Sequence, residues 1–255
     1  MQKTLESRYS RQIPLLGTAG QEKLFSSKVL VVGVGGLGSA AAMYLASAGV
    51  GHLVLSDYDQ VELSNLQRQI AHRNADIGRL KVDSARDTLL ALNPDVRVTT
   101  IPYVLEGTGL EKVLSSCHAV VDASDNFETR FSLNRACYQV GVPMIYGAVL
   151  GMKGQVGVFP FQGEAPCYEC LYPDDGRPEE TCAQFGVLAP LVGVIGAMQA
   201  VETIKLLAGI GDLLIGRVLL LDALTTQWKI LRFYRDPKCP TCGLPRQIRQ
   251  SFQNL

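Results

Sequence analysis

A run of apolar residues that ends in Gly33-Val-Gly35-Gly36-Leu-Gly38 constrains this chain more than any other feature. The run itself, KVLVVG at 28–33, has the composition of a buried strand. Residues 39–48 are small and Ala-rich, a helix able to pack close to a sheet, and Gly49 stops it. HLVLSD at 52–57 is a second strand. Strand, glycine turn, helix and strand in about 30 residues is the size of a βαβ unit. The glycines supply room: the chain turns tightly, and a phosphate can approach the amides at a helix N-terminus. Asp57, ending the second strand, is placed to accept hydrogen bonds from a ribose.

Beyond this unit the alternation continues. Residues 58–78 are polar and irregular, and a connection that long is often functional. A helix follows at 79–92, a strand at VRVTTI, a short helix at 109–115, and a strand at HAVVDAS ending at Ser124. Then come a helix over 127–140 and a strand at VPMIYGAV. Strand and helix alternating to about residue 149 predict an α/β fold, a Rossmann-like doubly wound and mostly parallel sheet. After that the rhythm changes to an antiparallel extension. Residues 152–161 alternate, 163–185 read as a polar loop, and a long apolar helix precedes two strands near 217–222 and 227–233. No linker or repeat divides the chain. The expectation is one domain over 1–255: N-terminal helices at 1–27, joined by Pro14 and Gly17, a nucleotide-binding core at 28–150, and a third part at 151–255, which carries the paired cysteines.

Composition sets what this fold can serve. Lys and Arg balance Asp and Glu at 24 each, so no global positive field exists to hold nucleic acid or an anionic membrane. The apolar stretch 186–210 contains Pro190, Gln199, Glu202 and Lys205, which suits a buried or subunit-interface helix better than a membrane span. The N-terminus lacks the apolar core of a secretory signal, so a cytoplasmic, reducing location is expected.

The glycine turn alone suits a dinucleotide as well as a triphosphate, and a tight turn that binds nothing is a further alternative. The long connection supplies Asn65, Gln67 and Arg68, and Lys81 starts the next helix. Several donors near one nucleotide favour ATP over NAD, although each basic residue taken singly also reads as a surface charge. Asp125-Asn126 follows the strand ending at Ser124, so both Asp57 and Asp125 face the crevice at the strand ends. Asp125 can hold Mg2+ against phosphates, or the pair can cap the helix at Phe127.

The cysteines carry a second message. Cys167-x-x-Cys170 and Cys239-Pro-Thr-Cys242-Gly are two CxxC pairs, a set of four thiolates suited to a closed tetrahedral Zn2+. Such a site has no open position for catalysis and would staple the C-terminal tail to the loop after residue 161. A redox dithiol is the alternative, but neither pair opens a helix after a strand. Cys182 stands alone in a polar loop, either a nucleophile or an incidental thiol. Cys117 and Cys137 sit in apolar contexts and read as core. His52, His72 and His118 are scattered and receive no role.

Together these motifs resemble the ThiF/MoeB/HesA family, bacterial relatives of the ubiquitin-activating enzymes. The resemblance runs over nearly the whole chain: RYSRQ at 8–12, GVGGLG at 33–38, LSDYD at 55–59, SNLQRQ at 64–69, SDN at 124–126, both CxxC pairs, and GVLAPLVGVIGAMQAVETIKLLAG. It implies phosphate contacts from Gly36, Ser64, Asn65, Gln67, Arg68 and Lys81, ribose contact from Asp57, magnesium on Asp125, and Asn126 beside the nucleotide. It also implies that Arg11 reaches the γ-phosphate of the neighbouring subunit in a homodimer. Cys182 aligns with a loop cysteine used by some members for covalent sulfur transfer.

The activity so implied is ATP-dependent adenylation of the C-terminal Gly-Gly carboxylate of a small ubiquitin-like sulfur-carrier protein, with sulfur brought by a separate donor protein. An α-carboxyl with a pKa of roughly 3.5 is already ionised at neutral pH, so no general base is required. The loop CYECLYPDDGRPEETC and the later TTQWK point to the thiamine-pathway carrier, with the molybdopterin-synthase small subunit as the alternative. An NAD-dependent oxidoreductase and a non-catalytic zinc-bearing adaptor are more distant alternatives.

Overall fold

Strand β1 (Lys28–Val32) lies inside the sheet, which is why three of its five residues are fully excluded from water. The computed structural model describes residues 7–174 and 185–243. Helix α1 (Ile13–Ser26) precedes β1; α2 (Gly36–Ala48), β2 (His52–Ser56), α3 (Lys81–Leu92), β3 (Arg97–Ile101), α4 (Gly107–Leu114) and β4 (Ala119–Asp122) follow it. Next come α5 (Phe127–Val140), β5 (Met144–Leu150), β6 (Lys153–Phe159), α6 (Tyr168–Leu171), α7 (Ala189–Ala208), β7 (Arg217–Asp222) and β8 (Gln227–Arg232). Among the described residues these strands form one sheet in the order β3-β2-β1-β4-β5-β6-β7-β8. β1 pairs in parallel with β2 and with β4, and β4 with β5. From β5 onward the pairings are antiparallel. The predicted α/β class, its mostly parallel sheet and its antiparallel extension are all present.

The order places a topological switch between β1 and β4. Their connections leave in opposite directions, which opens a crevice outside their C-terminal ends. The turn between β1 and α2 requires glycine. Gly33 has φ 86°, and a Cβ there would lie 2.6 Å from the Ala123 carbonyl oxygen. A Cβ at Gly38 would lie 1.9 Å from the Gly33 carbonyl oxygen. Backbone thus touches backbone, and α2 starts directly at the strand end.

Helix α7 locks this corner from above. Its Gly196 lies over α2, where an added Cβ would meet the Leu37 carbonyl oxygen at 2.4 Å. Its polar residues are spent internally. Gln199 Nε2 donates to the carbonyls of Asp122 and Ile145, at 2.6 and 3.2 Å. Glu202 is buried, accepts from the Leu214 amide at 2.9 Å and pairs with Lys205. By length and hydropathy α7 is the one described helix able to cross a membrane, but half of its apolar window is buried in the protein. Its hydrogen bonds to the sheet mark it as a core helix.

Two local readings needed adjustment. Pro14 opens α1 in its first turn, where its missing N–H costs nothing, so only Gly17 (φ 71°) interrupts that helix. The stretch 163–185 contains α6, because Cys167 and Cys170 sit one turn apart with Tyr168 buried between them. Gly38→Ala is expected to lower stability by about 1–3 kcal/mol, since overpacking here exceeds the helix propensity gained. Thermal unfolding measures it, and an unchanged Tm would mean that the turn and α2 can separate without cost.

Candidate functional site

An open cleft of about 1500 Å³ lies at the switch point. That exceeds the ~300–1,000 Å³ of most small-molecule sites, so room remains beside a nucleotide. Gly33, Gly35 and Gly36 form part of one wall, with the start of α2 behind them.

Asp57 is positioned by the turn it faces. Its Oδ2 accepts from the Val34 amide at 2.7 Å, and its Oδ1 from the Asp59 amide at 2.9 Å. Burial pushes its carboxyl above the ordinary value, while Lys81 and the two amides pull it back. Lys81 itself is buried, and its Nζ lies 2.7 Å from Asp59 Oδ2. The buried ammonium is thus neutralised by a half-exposed carboxylate at the edge of the cleft.

The irregular connection folds into a 3-10 turn (Leu63–Asn65). Asn65 Oδ1 accepts from the Glu62 amide at 3.1 Å, and Ser64 Oγ donates to Glu62. Arg68 lines the cleft and donates through Nη1 to the Ser64 carbonyl at 3.1 Å. The structure does not bring Ser64, Asn65 or Gln67 to the cleft wall; Gln67 is exposed. Gln69 takes the inward position instead. It is 4% exposed, lines the cleft, and its Oε1 has no hydrogen-bond partner among the described residues. Gln69 N bonds to Asn65 O at 3.0 Å, which puts residues 65 and 69 on the buried side of one turn and leaves 67 exposed.

On the opposite wall, Asn126 caps α5 by accepting from the Thr129 amide at 2.8 Å. The cap therefore falls to Asn126 and leaves the exposed Asp125 carboxylate on the cleft. Below it, Arg130 is buried with its guanidinium 5.6 Å from the Phe127 ring and 5.7 Å from the Tyr146 ring, and donates to the Ser124 carbonyl. The wholly buried Asp122 accepts from the Ser124 amide and hydroxyl; burial pushes its carboxyl up, and Arg130 opposes that shift. Arg130 is a cleft residue that the sequence reading missed, because its place depends on aromatic neighbours from other elements.

Arg11 is exposed and off the cleft within one chain. Cys182 lies outside the described residues. Cys117 and Cys137 are core as expected, and burial pushes both thiols up.

The four paired cysteines meet. Cys167 and Cys239 sulfurs are 3.5 Å apart, Cys170 and Cys242 3.3 Å, and all four lie within 4.8 Å of one another. A tetrahedral ion with metal–sulfur bonds of about 2.3 Å requires sulfurs about 3.8 Å apart, so the set fits a metal. Amides of Asp236 and Cys242 and the Asn134 side chain donate to these sulfurs, as donors do around bound thiolates. Gly243 permits the second knuckle, since a Cβ there would meet the Pro237 carbonyl oxygen at 2.5 Å. Buried Glu169 ties the knuckles to α5 through Arg135, at 2.6 Å, and to Thr241.

The chain is similar to known proteins over this whole arrangement. The pattern of the ThiF family matches residues 9–241. A molybdopterin-synthase adenylyltransferase of Escherichia coli K12 is 47% identical over 238 residues, 92% of this chain and 96% of that protein. The sulfur carrier protein ThiS adenylyltransferase of the same strain is 45% identical over 238 residues, 92% of this chain and 94% of that protein. The crystal structure of E. coli MccB with ATP superposes with a TM-score of 0.82 at 25% identity, covering 93% of this chain and 75% of that one.

The purified chain is expected to carry one divalent metal. Co2+ in its place should show the absorption bands of a tetrahedral thiolate site, and Cys242→Ser should lose them along with several degrees of Tm. Metal-free protein of unchanged Tm would contradict a metal-held knuckle.

Proposed function

The chain belongs to the ThiF family and is an adenylyltransferase, and from that premise we propose that it activates the C-terminal Gly-Gly carboxylate of a ubiquitin-like sulfur-carrier protein with ATP. The observation that carries this reading is the convergence of Gly36, Asp57, Arg68, Lys81 and Asp125 on one cleft with space to spare. The turn amides, Arg68 and Lys81 hold phosphates, Asp57 takes the ribose, and Asn126 adjoins the nucleotide. Ser64 and Asn65 also hold the turn that carries Arg68. Asp125 is the residue to hold Mg2+, which when bound neutralises phosphate charge.

In the reaction a carboxylate oxygen of the carrier bonds to the α-phosphorus of ATP. The bond from that phosphorus to the bridging oxygen breaks, and pyrophosphate leaves. The attacking carboxylate is already ionised, so the residues contribute alignment and charge neutralisation. Sulfur from a separate donor protein then bonds to the carrier's carbonyl carbon, and AMP leaves. The open edge strand β8, with Trp228 and Ile230 exposed and Lys229 on the cleft, offers the carrier a docking edge. Zn2+ is the metal suited to the four thiolates. The cytoplasm is the compartment that keeps them reduced.

The choice of carrier moves from the thiamine pathway to the molybdopterin-synthase small subunit. The loop and TTQWK features favoured the former, but the relatives of the two kinds differ by only two percentage points, 47% against 45%, with the molybdopterin type ahead. Part of that loop, with Cys182, lies outside the described residues. Adenylation requires no thiol, so Cys182 belongs only to a covalent sulfur-transfer step.

Carrier-dependent ATP–pyrophosphate exchange tests this with the two carrier types side by side. Exchange is expected with both or with the molybdopterin type more strongly. Arg68→Ala should reduce it by about 100-fold, and Cys182→Ser should leave it intact. Exchange with neither carrier would overturn the reading, and a clear preference for the thiamine carrier would reverse the choice.

Arg11 is proposed to act across a homodimer. Mixed dimers of Arg11→Ala and Asp125→Ala chains are then expected to regain one working site. No recovery in isolated heterodimers would place each site within one chain.

A further inference from the structure

His72 is buried behind the glycine turn and touches two elements of the site. Its Nε2 lies 3.0 Å from the Val34 carbonyl oxygen, and its Nδ1 lies 2.9 Å from Ser84 Oγ. Val34 is the second residue of the turn, and Ser84 sits one helical turn into α3, the helix that Lys81 starts. A carbonyl oxygen only accepts, so Nε2 must carry the proton. The Val34 carbonyl thereby fixes the tautomer of the neutral ring, and Nδ1 accepts from the Ser84 hydroxyl, for which the Asp76 carboxylate competes.

The effect reaches the cleft through one peptide plane. In a trans peptide the carbonyl and the following N–H point in opposite directions. Holding the Val34 carbonyl toward His72 therefore turns the Gly35 N–H away from it, and Gly35 lines the cleft. That N–H has no backbone acceptor among the described residues. The preceding peptide is held as well, because the Val34 N–H donates to Asp57. The turn is thus gripped at the amide by Asp57 and at the carbonyl by His72, with the Ser39 hydroxyl a longer second donor to that oxygen at 3.4 Å.

We propose that His72 is a positioning residue for the nucleotide: it orients the Val34–Gly35 peptide so that the Gly35 N–H meets a phosphate, and it ties that turn to the helix carrying Lys81. What the turn binds rests on the adenylation reading. The electrostatics agree with a neutral ring. Burial pushes His72 below its ordinary value, the Val34 carbonyl pulls the other way, Lys81 pushes it further down, and Asp57 and Asp76 oppose that. A histidine that merely filled space would affect stability and leave nucleotide affinity alone.

The test is calorimetric titration of the metal-loaded chain with Mg2+ and a non-hydrolysable ATP analogue, with side-chain 15N spectra of the wild type. His72→Ala should weaken binding about tenfold, the worth of one buried hydrogen bond, and His72→Gln, whose amide can still donate to Val34, should recover to within about threefold. The spectra should show the Nε2-protonated tautomer, a readout that holds even if the alanine variant fails to fold. Wild-type affinity in folded His72→Ala, glutamine no better than alanine, or an Nδ1-protonated ring would overturn the proposal. No analogue binding by the wild type would overturn the adenylation reading with it, whereas wild-type binding that is indifferent to His72 sinks this inference alone.

Discussion

Between Gly33 and Gly38 the chain comes so close to itself that a methyl group at position 38 would sit 1.9 Å from a carbonyl oxygen. The remaining features of the site follow from that approach. It lets α2 begin at the end of β1, and it leaves Gly35 and Gly36 lining the crevice of the switch point. It also brings Val34 within reach of both Asp57 and His72. Helix α7 adds a second close approach at Gly196, so the corner is held by backbone contacts on two sides. Backbone packing tolerates little adjustment, which suits a site whose chemistry is alignment.

The electrostatics are local. A chain of zero formal net charge carries no long-range attraction for an anion, so binding must come from groups inside the cleft. Those groups are held in reserve by internal partners. Lys81 rests on Asp59, Arg68 on the Ser64 carbonyl, and Arg130 on the Ser124 carbonyl. Each partner keeps a buried or half-buried cation satisfied. The four cysteines and Glu169 join the second knuckle to α6 and α5, which brings the C-terminal segment against the wall opposite the glycine turn.

The elements with one dominant signal were legible in the sequence. β1 and the helix over 127–140 were bounded by apolar runs, glycines and a cap, and their limits matched within a residue. The two CxxC pairs were legible across 72 residues of separation because ligand chemistry needs no local contact. Gln69 drew no notice in the sequence, because a turn inside an irregular stretch carries no periodicity to say which side chain faces inward. Helix α6 is too short to show a period. His72 and Arg130 acquire their places from carbonyls and rings supplied by distant segments, so their neighbours in sequence say nothing about them.

A crystal structure of the chain with Mg2+ and a non-hydrolysable ATP analogue tests directly whether the glycine turn and its facing cations form a triphosphate site. The predicted result is phosphates seated against the amides of Gly35 and Gly36, with Arg68 in contact and Lys81 Nζ transferred from Asp59 to a phosphate oxygen. An analogue bound elsewhere in the cleft, with the Lys81–Asp59 pair still at 2.7 Å, would contradict it.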